Sequence, residues 1–221
     1  MACSTVSVWS RPLPCDADAF RGPLPAIPGL SPRRHFEHEL KRKLYTFNGL
    51  NGPIAYLGWA RGHHLMDRAA NDPAMQDLLL QVRGESAHGL IAEFGFDPVE
   101  HAAFQSIAWE KYRNPALADA IERNARDSAR KLGAGERLVG PALLALKHGR
   151  EPFGYAAAIA AALAYDGSDD AGTQAVRAEV DAQGPAAALY RHAGLAPGHP
   201  LVGLVLRVWH DSPTHRHGAP S

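Results

Sequence analysis

The stretch FGYAAAIAAALAY, Phe153 to Tyr165, decides the fold class. A bilayer span takes about 20 consecutive apolar residues, and this run is shorter. It reads instead as a buried helix. Ala156, Ala160 and Ala164 recur at helical spacing and stack on one side, where small side chains let a neighbouring helix approach closely. The segment is therefore expected at the centre of a helical bundle.

Working outward, the punctuation on either side repeats the helical reading. Asp72-Pro73, Asp97-Pro98 and Asn114-Pro115 each place a capping side chain before a proline, whose fixed φ suits the first position of a helix. Glu100 follows Asp97 by three residues and gives an acidic version of the capping box. Between these starts, apolar residues recur as in Leu138, Ala142, Leu143 and Leu146, or Leu117, Ala120, Ile121 and Ala125. The spacing predicts helices near 33–48, 54–69, 73–94, 98–110, 115–131, 135–148, 153–165, 170–182, 185–193 and 200–209. The fold class expected is mainly α, a multi-helical bundle.

The ends read differently. Pro12, Pro14, Pro23, Pro25 and Pro28 interrupt residues 1–31 too often for a helix. Only Thr5 to Trp9 alternates enough to suggest one short strand. Residues 1–31 are expected as a leader, 32–209 as the helical domain, and the polar stretch 210–221 as a disordered tail.

Among the 221 residues, 23 basic and 23 acidic side chains cancel, which argues against a nucleic-acid footprint or a polybasic membrane anchor. With 46% hydrophobic and 21% charged residues, the composition is that of an ordinary globular chain. Cys3 and Cys15 lack the spacing of a zinc or disulfide framework. His210, His215 and His217 in the tail, and His35 with His38 on a charged stretch, read as surface rather than metal ligands. Arg11, Pro12 and Pro14 interrupt any secretory signal, so a cytoplasmic location is expected. G-x-G-x-x-G, G-x-x-x-x-G-K, G-x-S-x-G and H-E-x-x-H are all missing. Gly133-Ala134-Gly135 has Leu138 where a third glycine would stand and follows a charged segment, so it reads as a turn.

Chemistry concentrates in RKLYTFNGLNGPIAYLGWARGH, Arg42 to His63. At about 100° per residue, Phe36, Leu40, Leu44 and Phe47 fall within about 100° of Lys43, with Asn51 near 80° and Asn48 near 140°. Lys43 thus lies on an apolar stripe. It reads either as a snorkelling side chain or as a desolvated amine with a lowered pKa, competent as a general base. Asn48 reads either as a helix C-cap beside Gly49 or as a donor to a developing alkoxide. Gly49, Gly52 and Pro53 are expected to end or kink the helix.

Three motifs carry a resemblance. Lys43-Leu-x-x-x-Asn48, Ala55-Tyr-Leu-Gly58 and ERNARDSARKLGAGERLVGP at 122–141 are similar to the C-terminal domain of the mannitol dehydrogenase family, the polyol-specific long-chain dehydrogenases. The likeness runs from about Phe20 to about Trp209. It implies a bundle like the C-terminal domain of 6-phosphogluconate dehydrogenases, working as the substrate half of a two-domain enzyme. The other half would be a Rossmann domain carrying NAD, of which the leader, 1–31, resembles only the tail end and the crossing into the helical domain; the rest is expected on a partner chain or on an upstream extension.

Within the family the likeness points to oxidation of mannitol 1-phosphate to fructose 6-phosphate. By position, Lys43 matches the catalytic lysine that takes the hydroxyl proton, and Asn48 the asparagine that donates to that oxygen. Asn51 stands where the family has a histidine, and an amide cannot titrate. Arg123, Arg126 and Lys131 match polyol-site positions, and Arg130 adds a fourth cation. Guanidinium forks suit phosphate, which favours a sugar-alcohol phosphate over an uncharged polyol. Two other readings stand beside this one: a non-catalytic helical module binding a sugar phosphate or a protein partner, and a degenerate fragment.

Overall fold

The computed structural model describes residues 13–24 and 26–211. They form two compact units, which divide between Lys43 and Leu44. The first holds β1 (Leu13–Asp16), β2 (Leu30–Arg33) and α1 (Phe36–Lys43). The strands pair in parallel, from Leu13 opposite Leu30 to Asp16 opposite Arg33. Two strands leave every strand an edge, so Pro14 and Pro32 are tolerated within them. The Pro-rich stretch thus carries strand at positions other than the one expected. The strand expected at Thr5 to Trp9 lies outside the described residues, as does the tail beyond Asp211.

The second unit begins with a π-helical turn, Leu44–Asn48, and continues through α2 (Gly49–Ala60), α3 (Met66–Asn71), α4 (Gln76–Phe94), α5 (Pro98–Arg113), α6 (Ile121–Ala125), α7 (Ser128–Lys131), α8 (Val139–Lys147), α9 (Phe153–Ala164), α10 (Ala171–Gln183), α11 (Pro185–Ala193) and α12 (Pro200–Asp211). The alanine helix α9 is central as expected: Tyr155, Ala156, Ala158 and Ile159 are fully buried, and it packs on α2, α4, α8 and α12. Tyr165 just past its C-terminal end is buried, edge-on to the ring of the buried Tyr56 at 5.4 Å and to that of the partly buried Trp59 at 5.2 Å.

The expected caps form. Asp97 accepts the amide of Glu100 at 2.8 Å, and Asp72 and Asn114 accept the amides two residues on. Asp72 and Asn114, however, open only single 3-10 turns, Pro73–Met75 and Pro115–Leu117. Two long helices expected from periodicity are broken. The 54–69 run stops at Ala60, where Gly62 turns left-handed at φ 79°. The 115–131 run divides at Ala118 and Asp127, both left-handed, into a 3-10 turn, α6 and α7. A bridge between Leu65 and Ala120 holds the first break against α6, with Ile121 donating to the His64 carbonyl at 2.9 Å.

Pro53 sits inside α2 without ending it. Proline lacks the N–H that would bond the Gly49 carbonyl. That carbonyl instead accepts from the Tyr155 hydroxyl at 3.0 Å. Nearby carbonyls are held by side chains too, Tyr45 by Ser86 at 2.8 Å and Phe47 by Tyr112 at 3.0 Å. These partners from α4, α5 and α9 make the π turn affordable and fix where α2 starts. A Cβ at Gly49 would lie 2.8 Å from the Tyr155 oxygen, so this close approach requires glycine. Gly58 does the same at the other end, where a Cβ would meet that of Ala69 at 2.6 Å.

Candidate functional site

α2 delivers Asn51 and Tyr56 to the α6–α7 segment. Asn48 is half-buried, and the chain runs on helically through it from the π turn into α2, so it ends no helix and the C-cap reading is set aside; its side chain makes no cap hydrogen bond. Asn51 is buried, and its amide donates to Asn124 Oδ1 at 2.8 Å, while Asn124 donates to the Ala120 carbonyl at 2.8 Å. Burial pushes the Tyr112 phenol up to about 12, an effect that the neighbouring Asn51 amide partly offsets. Asn51 therefore orders a polar junction of α2, α5 and α6.

Tyr56 organises the neighbouring turn. Its hydroxyl donates to the Ala125 carbonyl at 2.7 Å and lies 3.1 Å from Ser128 Oγ. Burial raises its pKa, so it stays a neutral donor. Ser128 in turn lies 3.3 Å from Thr173 Oγ1, whose hydroxyl donates to Asp170 Oδ2 at 2.8 Å. Burial would raise the Asp170 carboxyl, but hydrogen bonds from the Thr173 amide and hydroxyl, the Ser168 hydroxyl and the Asp127 amide hold it well below the usual carboxylate range. Asp170 thereby pins Asp127 in its left-handed conformation, at φ 60°, and with it the start of α7.

Lys131 ends α7 only 4% exposed. Its ammonium donates to the Arg126 carbonyl and lies 5.9 Å from the centre of the Tyr56 ring. Burial lowers its pKa to about 8; the charges of Arg137 and Arg130 lower it further, against Asp127 and Asp170.

The four expected cations are not gathered alike. Arg123 is exposed and paired with Asp119, its Nε 3.3 Å from Oδ1. Arg126 is exposed and contributes its carbonyl, while Arg130 donates to Asp127 Oδ2 at 2.6 Å from a half-exposed position. Only Lys131 turns inward.

Lys43 departs from its expectation. It is exposed at the end of α1, as is Leu40, and the buried cation of that helix is Arg42. Phases computed at α-helical pitch do not apply through Leu44–Asn48, because a π turn advances less per residue. The buried lysine is thus Lys131.

Sequence reasoning missed Tyr56, Tyr112, Asn124, Arg137 and Asp170. Asp170 carried a legible signal, a carboxylate three residues before Thr173 at a helix start. Arg137 lay inside the quoted 122–141 string. Its side chain is 14% exposed and rests on Gly52 of α2.

The described residues do not fit a dinucleotide. The two-stranded sheet has no glycine-rich turn into a helix, and Gly133 to Gly135 form the α7–α8 turn, where the Gly135 carbonyl accepts from the Tyr45 hydroxyl. Among the described residues no His, Cys, Asp and Glu cluster is placed to hold a metal, and no helix is long and apolar enough to cross a membrane.

Residues 36–196 match the family model described as Mannitol dehydrogenase C-terminal domain. Mannitol-1-phosphate 5-dehydrogenase of Brevibacillus brevis is 35% identical over 203 residues, which are 89% of this chain and 53% of that protein. The chain spans about half the length of that relative.

Proposed function

Because this chain belongs to the mannitol dehydrogenase family, through its C-terminal domain, we propose that it is the substrate-binding and base-carrying half of an NAD-dependent polyol-phosphate dehydrogenase. The substrate proposed is mannitol 1-phosphate, oxidised to fructose 6-phosphate. The observation that supports this most is Lys131, a buried cation against the ring of Tyr56, within the matched segment. An uncompensated inward charge favours an anionic substrate over a neutral polyol.

NAD, the hydride acceptor, is supplied by a Rossmann half on a longer chain or on a partner chain. The roles of this chain's residues follow from family position. The Lys43 amine, in its neutral form, accepts the hydroxyl proton at the carbon being oxidised. Its exposure in the present structure suits a group that works against a second domain. Asn48 presents its unengaged amide to the oxygen that becomes a carbonyl. Asn51 and Asn124 position polyol hydroxyls, and Lys131 with Arg123, Arg126 and Arg130 attracts the phosphate.

The test supplies the chain with a Rossmann half, NAD and mannitol 1-phosphate and follows NADH absorbance. The proposal expects a rate that Lys43→Met abolishes. A second reading, a non-catalytic sugar-phosphate module, is favoured by one observation: Asn51 replaces a titrating histidine with an amide already engaged by Asn124. No rate in any mixture, with binding of mannitol 1-phosphate retained, supports that reading.

A further inference from the structure

Behind the π turn lies a small internal cavity. It is enclosed by the turn together with α2, α4, α5 and α9, has a volume of about 10 Å³, and has as its polar lining Tyr45, Thr46, Arg83, Ser86, Gln105 and Tyr155. Two of these residues bring a buried polar atom with nothing to bond. Thr46 is only 4% exposed, and its Oγ1 has no hydrogen-bond partner among the described residues. Arg83 Nε is buried and without a partner in the same way, while its guanidinium packs 5.1 Å from the centre of the Trp109 ring.

Other polar walls of the cavity have already committed their hydrogens. Ser86 gives its hydroxyl hydrogen to the Tyr45 carbonyl at 2.8 Å, Tyr155 gives its own to the Gly49 carbonyl at 3.0 Å, and the Gln105 amide donates to the Arg83 carbonyl at 2.8 Å. Their oxygens keep lone pairs with which to accept. A water molecule needs a cavity of at least roughly 10–15 Å³ and two to four polar partners, whereas cavities that stay dry are apolar. This one stands at the lower end of that range, so it takes one water and no larger anion. Leaving two buried polar atoms unpaired costs more than immobilising one water.

We propose that this cavity binds one structural water molecule, which accepts from Arg83 Nε and the Thr46 hydroxyl and donates to lining oxygens such as Ser86 Oγ. The water ties α4 to the π turn at Thr46, between the two residues whose carbonyls Ser86 and Tyr112 hold. Thr46 and Arg83 are thus positioning residues of the turn that carries Asn48. The inference rests on the geometry of the second unit alone and holds whether or not the chain binds a polyol phosphate.

Crystals of the full chain that diffract well enough to show ordered water test the site. A density peak within about 3.2 Å of both Thr46 Oγ1 and Arg83 Nε is expected, kept in Thr46→Ser and lost in Thr46→Val. Amide hydrogen exchange tests the role in solution. Thr46→Val should speed exchange of the amides of residues 48–52 about tenfold, and Thr46→Ser should leave it near the parent's. Arg83→Met, at a partly exposed position, should speed the same amides without altering the turn itself, so the test survives a Thr46→Val protein that does not fold. A parent map in which Arg83 Nε bonds a protein acceptor and the cavity holds no density would overturn the site, as would a halide there, seen by its anomalous signal in bromide-soaked crystals. Exchange in Thr46→Val and Arg83→Met equal to the parent's would overturn the positioning role.

Discussion

Asn51 on α2 donates its amide to Asn124 Oδ1 on α6 at 2.8 Å. An amide donates as an imidazole N–H does, but it does not titrate. Asn51→His, assayed with a Rossmann half, should add an ionisation near pH 6.5 to the pH–rate profile. A profile unchanged by the substitution would show that position 51 only spaces α2 from α6.

The Tyr155 hydroxyl replaces the backbone donor that Pro53 removes from the Gly49 carbonyl. Tyr155→Phe should therefore destabilise by about 1–3 kcal/mol, the cost of a buried unsatisfied carbonyl, read as a lowered urea midpoint. In a Pro53→Ala background the restored N–H can bond that carbonyl, so the same change should cost less. A double-mutant cycle measures the difference, and strict additivity would rule out the replacement.

How far the sequence could be read follows from these residues. Alanine spacing located the central helix, and Asp97-Pro98 located the start of α5, because both are local signals. The course of α2 was not legible: Pro53 and two glycines signalled an end, and only tertiary donors from Tyr155, Tyr112 and Ser86 carry the helix through. The candidate site divides similarly. Lys131 was found, but its burial was assigned to Lys43, since a 100° period cannot anticipate a π turn. Arg137 was passed over because its inward direction depends on packing against Gly52, which no spacing reveals.

Acid stability should depend on Asp72. Its carboxyl is pushed down to about 2, chiefly by the His63 ring nitrogen at 2.8 Å, then by the Ala74 amide and by Arg61. A folded value below the unfolded one of 3.8 contributes stability that is present above about pH 4 and lost as pH falls through 2. In thermal melts Asp72→Asn should have a shallower fall in Tm across that window. A slope equal to the parent's would contradict the linkage.

Lys131 gives the opposite limb. Its folded value near 8 lies below the ordinary 10.5, so between those values the unfolded chain holds a proton that the folded chain has released. Stability should rise with pH across that window. Lys131→Met should flatten the rise and be the more stable protein at pH 7, because a buried charge gives way to an apolar side chain of similar volume. A Lys131→Met protein less stable than the parent at pH 7 would mean that the ammonium supports the fold rather than awaiting a ligand.

The most direct measurement is a pair of calorimetric titrations of the purified chain, one with mannitol 1-phosphate and one with mannitol, at pH 7 and at pH 9.5. The account expects tighter binding of the phosphorylated polyol at pH 7, with the advantage shrinking at pH 9.5 as Lys131 loses its proton. Equal affinity for the two polyols at both pH values, or no heat with either, would contradict it.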